Sequence, residues 1–183
     1  MSEVVRVLLV SGSTRRGSTN TAALRSAQAV APDGTTGVVC LGLAELPHFN
    51  PDDDHDPLPP PVAVLRGQIA SCHAVLFCTP EYAGALPGSF KNLLDWTVGG
   101  VEIYRKPVAW INVAGPDRGI NADASLAVVL GYVGADIIEP ACVRVPIPRD
   151  LVGADGLVSD AGIRARIAEV LRTVAAHVGR VAR

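Results

Sequence analysis

The run Val5-Arg6-Val7-Leu8-Leu9-Val10 is almost unbroken branched aliphatic sequence, the pattern of a strand buried on both faces, and Ser11-Gly12 closes it. A helix is predicted next. Across residues 20–30 the apolar positions Ala22, Ala23, Ala27 and Val30 recur at helical spacing, and Pro32-Asp33-Gly34 stops the segment. The same rhythm predicts strands over 38–43, 74–79, 108–114 and 137–145, and helices over 62–71, 89–98, 123–133 and 160–181. The last helix carries Ile163, Ile167, Val170, Leu171, Val174 and Val178 on one face. Residues 44–61 hold three consecutive prolines and the run from Phe49 to Pro57, too proline-rich for a regular element, and read as a surface excursion.

Five strands alternating with five helices predict one α/β domain over residues 1–183. Right-handed crossovers place its helices on both faces of a five-stranded parallel sheet, giving a three-layer, doubly wound architecture. A length of 183 residues and 49% apolar content are enough for a self-sufficient core. A net charge of -2 and 4% aromatic residues give no footprint for nucleic acid. No stretch approaches the ~18 apolar residues of a membrane span, so the expectation is a cytoplasmic protein without a membrane partner. Cys40, Cys72, Cys78 and Cys142 lie in apolar stretches without a C-x-x-C pair and read as buried thiols, neither a zinc site nor a disulfide framework.

Open α/β sheets bind ligands beyond the carboxyl ends of their strands, where the winding reverses. The first such loop, Ser11-Gly12-Ser13-Thr14-Arg15-Arg16-Gly17-Ser18-Thr19-Asn20, leads hydroxyls, an amide and two arginines into a helix N-terminus. An anion there would meet backbone N–H groups, the positive end of a helix dipole, and donors from Ser13, Arg15, Ser18 and Asn20. Ser18 stands where a Walker A loop needs lysine, and G-x-G-x-x-G is absent, which disfavours a nucleoside triphosphate and a Rossmann dinucleotide in this loop. A single terminal phosphate fits better; the competing reading is an N-capped helix with two solvated arginines.

The loop after the third strand contains Thr79-Pro80-Glu81-Tyr82-Ala83-Gly84-Ala85-Leu86-Pro87-Gly88. Pro80 biases Thr79 toward extended backbone, while Gly84 and Gly88 allow conformations closed to other residues. Small side chains at Ala83, Gly84 and Ala85 would let the main chain approach a flat ring system, and a flavin fits. For Glu81, Lys91 and Asp95 the plainer reading is an exposed ion-pair set, and for Trp96 core packing.

Two segments resemble the NADPH-dependent FMN reductase family, a flavodoxin-like group that includes quinone, chromate and azo-dye reductases. Gly12-Ser13-Thr14-Arg15 through Ser18 and Asn20 looks like its G-S-x-R-x-x-S-x-N phosphate loop. Pro80-Glu81-Tyr82, Pro87-Gly88, Lys91-Asn92 and Asp95-Trp96 look like its P-E-Y…P-G…K-N…D-W signature. The resemblance implies a flavodoxin-like sheet of order 2-1-3-4-5. It also implies an FMN-dependent NAD(P)H oxidoreductase that passes a hydride from NADPH or NADH through FMN to flavin, a quinone or another small acceptor. Ser13, Arg15, Ser18, Thr19 and Asn20 would hold the FMN phosphate; Pro80, Glu81, Tyr82, Ala83 and Gly84 would line the ring, with Gly115 beside it. The chain departs from the family at Ala83 and Ala85, where asparagine and serine are usual. It departs again at Ala114-Gly115-Pro116-Asp117-Arg118-Gly119, which lacks a double glycine.

Because the cofactor performs the chemistry, no catalytic side chain is expected. Tyr82 is expected either to wall the acceptor pocket or to pack. The alternative is an FMN electron carrier or redox-sensing module, disfavoured by a charge too small to steer a redox partner; a flavin-free regulatory domain is supported only by Ala83 and Ala85. Asp52-Asp53-Asp54-His55-Asp56 has no regular ligand spacing and reads as a solvated loop, so no metal is expected. Phe90, Leu93, Leu94 and Trp96, with Leu126, Val129, Leu130 and Tyr132, suggest more apolar surface than one sheet face needs. Relatives commonly dimerise through these helices, and a homodimer or dimer of dimers is expected.

Overall fold

The structure is a computed structural model describing residues 4–40 and 42–181. Strands β1 (Val5–Ser11), β2 (Thr35–Val39), β3 (Ala74–Cys78) and β4 (Pro107–Asn112) are followed by two short strands, β5 (Asp136–Ile137) and β6 (Val143–Arg144). All pair in parallel in the order β2-β1-β3-β4-β5, and β6 pairs with β4 just beyond β5, so the two share the fifth position. The order is the expected one.

Alternation along β1 divides the core. Val7 and Leu9 pack with α1 (Thr19–Ala29) and α5 (Ala161–Val181) on one face. Leu8 and Val10 pack on the other with α2 (Pro60–Ser71), α3 (Gly88–Asp95) and α4 (Ile120–Tyr132). The helices therefore cover both faces of β1, which explains its unbroken apolar run.

Several predicted boundaries move. The second strand lies at Thr35–Val39 rather than 38–43: Thr35 to Val39 pair with Val5 to Leu9, and this half-exposed edge starts on polar residues that an apolar criterion overlooks. Of the predicted 38–43, Leu41 lies outside the described residues, as do 1–3 and 182–183 of the predicted domain. Helix α2 begins at Pro60, inside the predicted excursion, because a proline in the first helical turn forfeits no intrahelical hydrogen bond. The fifth strand, expected as one run over 137–145, is split by a 3-10 turn at Glu139–Ala141.

The excursion is anchored. Asn92 Nδ2 and Trp96 Nε1 donate to the Pro47 carbonyl at 2.9 and 2.8 Å, and the Phe49 N–H donates to Asn92 Oδ1 at 2.7 Å. Asp54, read as solvated, instead forms a buried pair with Arg66 at 2.6 Å, and Arg66 Nε donates to the Trp96 carbonyl. No cluster of three or more metal-ligating side chains exists among the described residues. No described helix is long and apolar enough to cross a membrane.

The apolar surplus assigned to α3 and α4 is mostly spent within the chain. Phe90, Leu93, Leu94, Trp96, Leu126 and Leu130 are buried in its own core, while Tyr132 is 87% exposed. A different set, Val98, Val101, Tyr104 and Val128, joins Tyr132 on the surface.

Candidate flavin site at the sheet's carboxyl edge

The reversal of winding falls between β1 and β3, and a cavity of about 630 Å³ opens there, within the size range of ligand sites. Its lining brings together Ser13, Arg15, Ser18, Thr19 and Asn20 from the β1 loop, Pro80, Glu81 and Tyr82 from the β3 loop, and Gly115 from the β4 loop. Ala83 and Gly84 are the next two residues of the β3 loop and do not line it.

The β1 loop is shaped by close approach. A Cβ on Gly12 would stand 2.2 Å from Thr79 Oγ1 and 2.9 Å from Phe90, so the first and third loops can meet only if this position is glycine. Ser18 caps α1: its Oγ accepts from the Asn20 N–H at 3.2 Å and from Asn20 Nδ2 at 3.4 Å. Ser13 Oγ accepts from the Arg15 N–H at 3.3 Å. Among the described residues, the N–H groups of Thr14, Arg16, Gly17, Ser18 and Thr19 have no protein acceptor. Of these, Ser18 and Thr19 stand at the start of α1 and line the cavity beside Ser13 and Arg15; unpaired donors at a helix N-terminus suit a phosphate, and the loop thus fits the FMN tail.

In the β3 loop, Tyr82 and Ala85 exchange two 3.0 Å backbone hydrogen bonds around Ala83 (φ +50°) and Gly84 (φ +72°), the signature of a two-residue turn of type I′. Tyr82 is 54% exposed beside the cavity. Gly88, expected to open unusual backbone, is the first residue of α3 and needs no positive φ.

Glu81 is not free, and it forms no ion pair among the described residues. Its Oε2 accepts from the N–H groups of Asn121 and Ala122 at 2.9 and 3.1 Å, capping α4 from another loop, because α4's own cap residue, Gly119, has no side chain. Lys91 and Asp95 do form the expected exposed pair, and Trp96 is fully buried.

Sequence reasoning missed the network beneath the β4 loop. Asn112 Nδ2 donates to the Gly119 carbonyl at 2.9 Å and to Asp123 Oδ2 at 2.6 Å, and Asn112 Oδ1 accepts from the Ala114 N–H. Arg144 donates to the Gly115 and Arg118 carbonyls at 3.4 and 2.6 Å. Burial raises the Asp123 carboxyl above its ordinary value, against the lowering effects of Asn112 and Arg144. Arg144 lies 32 residues from Asn112, and nothing in its local sequence marks the partnership.

All four cysteines carry thiols, and none is in a disulfide. Burial pushes Cys40 and Cys142 up to about 11 and raises Cys78 further still, so these three are not ready nucleophiles.

Comparison with known proteins fits this geometry. An NAD(P)H-dependent FMN reductase of Pseudomonas aeruginosa is 40% identical over 96 residues, 52% of this chain and 51% of that protein, so the match spans about half of the relative's length. A probable NADPH:quinone oxidoreductase of rice is 29% identical over 97% of this chain and 94% of its own. Among solved structures, the flavoenzyme FerB of Paracoccus denitrificans, an NAD(P)H:acceptor oxidoreductase, superposes with a TM-score of 0.76 at 28% identity, covering 95% of this chain and 99% of its own. The family profile of NADPH-dependent FMN reductases matches residues 5–147, from β1 to the end of the β6 loop, and the chain belongs to that family.

Proposed function

We propose that this chain is an FMN-dependent NAD(P)H oxidoreductase whose acceptor is a flavin, a quinone or another small molecule. The observation that carries the reading is the set of unpaired N–H groups at the start of α1, opening into a cavity at the sheet's reversal point. The reductase and quinone-oxidoreductase names of the relatives support it.

Bound FMN would supply the hydride relay between nucleotide and acceptor. The protein's part is to hold and orient. Ser13, Arg15, Ser18, Thr19 and Asn20, with the loop's N–H groups, would grip the phosphate. Pro80 and Glu81 would set one wall for the ring, with the turn at Ala83 and Gly84 holding the loop behind them, and the Gly115 loop, fastened by Asn112 and Arg144, another wall. Tyr82 borders the open side where nucleotide and acceptor would alternate, an arrangement that gives ping-pong kinetics. No side chain need exchange a proton with substrate.

The surface formed by Val98, Val101, Tyr104, Val128 and Tyr132 supports a homodimer. Four thiols without a disulfide support a cytoplasmic location. Flavin titration followed by steady-state oxidation of NADH and NADPH with a small quinone tests the activity; tight FMN binding without turnover would establish an electron carrier instead. Sizing with light scattering tests the dimer, which a monomeric profile overturns.

A further inference from the structure

Two more arginines face the same cavity. Arg118 lies in the β4 loop and Arg149 opens a 3-10 turn after β6; both side chains are exposed, and both line the pocket. At about 4.8 Å per strand, the ends of β4 and β6 stand roughly 10 and 14 Å across the sheet from the end of β1, where Arg15 sits. They belong to a different part of the cavity from the phosphate loop.

Their backbone is fixed while their guanidinium groups are unused. The Arg118 carbonyl accepts from Arg144 at 2.6 Å, and the next carbonyl, Gly119, accepts from Asn112 at 2.9 Å. Arg149 follows Ile147, whose N–H donates to the Val113 carbonyl at 3.0 Å. Among the described residues neither guanidinium has an ion-pair or hydrogen-bond partner. Two acidic side chains line the pocket, Asp117 and Glu81, and Glu81 is committed to α4. Asp117 is paired with neither guanidinium among the described residues, so an FMN phosphate held by the β1 loop leaves two cationic forks against this one exposed carboxylate.

Resting on the flavin reading above, we infer that Arg118 and Arg149 form a second anion subsite that takes the 2′-phosphate of NADPH and sets a preference for NADPH over NADH. A dinucleotide whose nicotinamide lies on the ring must carry its adenosine end toward the cavity's rim, where these exposed side chains stand. The 2′-phosphate is a monoester with close to two negative charges at neutral pH, whereas each pyrophosphate unit carries one, so it gains more from a pair of guanidinium forks. An arginine near the ribose is the general means of accommodating this group.

The test titrates the FMN-loaded full chain with 2′,5′-ADP and with 5′-AMP by calorimetry. The wild type is expected to bind 2′,5′-ADP at least about tenfold more tightly, the scale of one charged hydrogen bond, and Arg118→Ala/Arg149→Ala to abolish the difference. The ratio of kcat/KM for NADPH to that for NADH should fall about 10- to 100-fold in the double variant, with Arg118→Lys intermediate. Alanine at 118 retains the carbonyl that Arg144 holds, so the loop keeps its support. Equal affinity for the two adenosine ligands overturns the inference, as does an unaltered NADPH:NADH ratio, including the case in which both nucleotides weaken together because the arginines hold the pyrophosphate. A colourless wild-type protein overturns the flavin reading with it, whereas a yellow protein indifferent to the 2′-phosphate overturns this inference alone.

Discussion

Glu81 Oε2 accepts the Asn121 N–H at 2.9 Å across 40 residues of sequence, joining the loop after β3 to the first turn of α4. The bond, shared with the Ala122 N–H, ties together the two walls of the cavity. Glu81→Ala should cost about 1 kcal/mol, the usual value of a helix cap, or about 2–4 °C in Tm for a chain of this size. FMN affinity should fall with it, by up to about tenfold. Glu81→Gln keeps an oxygen able to accept both bonds and should retain most of each. Denaturant melts and flavin titration of both variants provide the check; an alanine variant equal to wild type in both would show the cap to be idle.

Arg15 is exposed, and among the described residues its guanidinium donates only to the Arg16 carbonyl, at a long 3.4 Å. Arg15→Ala should therefore leave folding intact while weakening FMN by ~1.5–3 kcal/mol, about 10- to 100-fold. An unchanged dissociation constant removes Arg15 from the phosphate site.

Ala83 occupies left-handed backbone at φ +50° in a two-residue turn that favours Asn-Gly. A residue with a Cβ loses roughly 1–2 kcal/mol there, and asparagine or glycine loses less. Ala83→Asn and Ala83→Gly should each raise stability by about 0.5–1 kcal/mol, read as a higher urea midpoint at constant slope. A lower midpoint for both would show that the turn is not as described.

Arg66 and Asp54 are paired at 2.6 Å, with side chains 9% and 8% exposed. Arg66→Met strands a buried carboxylate and should cost about 3–5 kcal/mol. Arg66→Met/Asp54→Leu removes the stranded charge and should recover most of that loss, because two apolar groups can replace a buried pair at little net cost. A double variant no better than the single would place the loss in the missing bond to the Trp96 carbonyl instead.

Asp123 has its carboxyl raised by burial, so the native state holds this proton more firmly than the unfolded chain does. The stability it contributes is complete below the ordinary value of 3.8 and is lost as pH climbs through the higher native value. Asp123→Asn retains an acceptor for Asn112 without the charge. Its stability relative to wild type should be greater at pH 7 than at pH 4, and a pH-independent difference would contradict the assignment.

The strand–helix alternation was legible because β1, β3 and β4 are covered on both faces and carry dense apolar runs. Thr35-Thr36-Gly37 escaped notice because an edge strand need not be apolar, and Asp54 because nothing in a run of aspartates tells which one folds inward onto Arg66. The cavity-lining stretch from Gly12 to Asn20 could be read directly, since it is contiguous and its chemistry local. In the β3 loop, the sequence suggests an exposed ion pair for Glu81 rather than a helix cap, because its partners are backbone groups 40 residues away. Asn112, Asp123 and Arg144 come from three separate elements, and such a cluster has no linear pattern to detect.

The 3-10 turn at Glu139–Ala141 has a consequence for how copies of the chain can meet. A continuous border strand would offer a ladder of unsatisfied main-chain donors and acceptors to a neighbouring molecule. Here that border is only two residues long on either side of the break, and Pro140 within it has no N–H to give. Lateral sheet extension, the route to aggregates, is blunted at this margin.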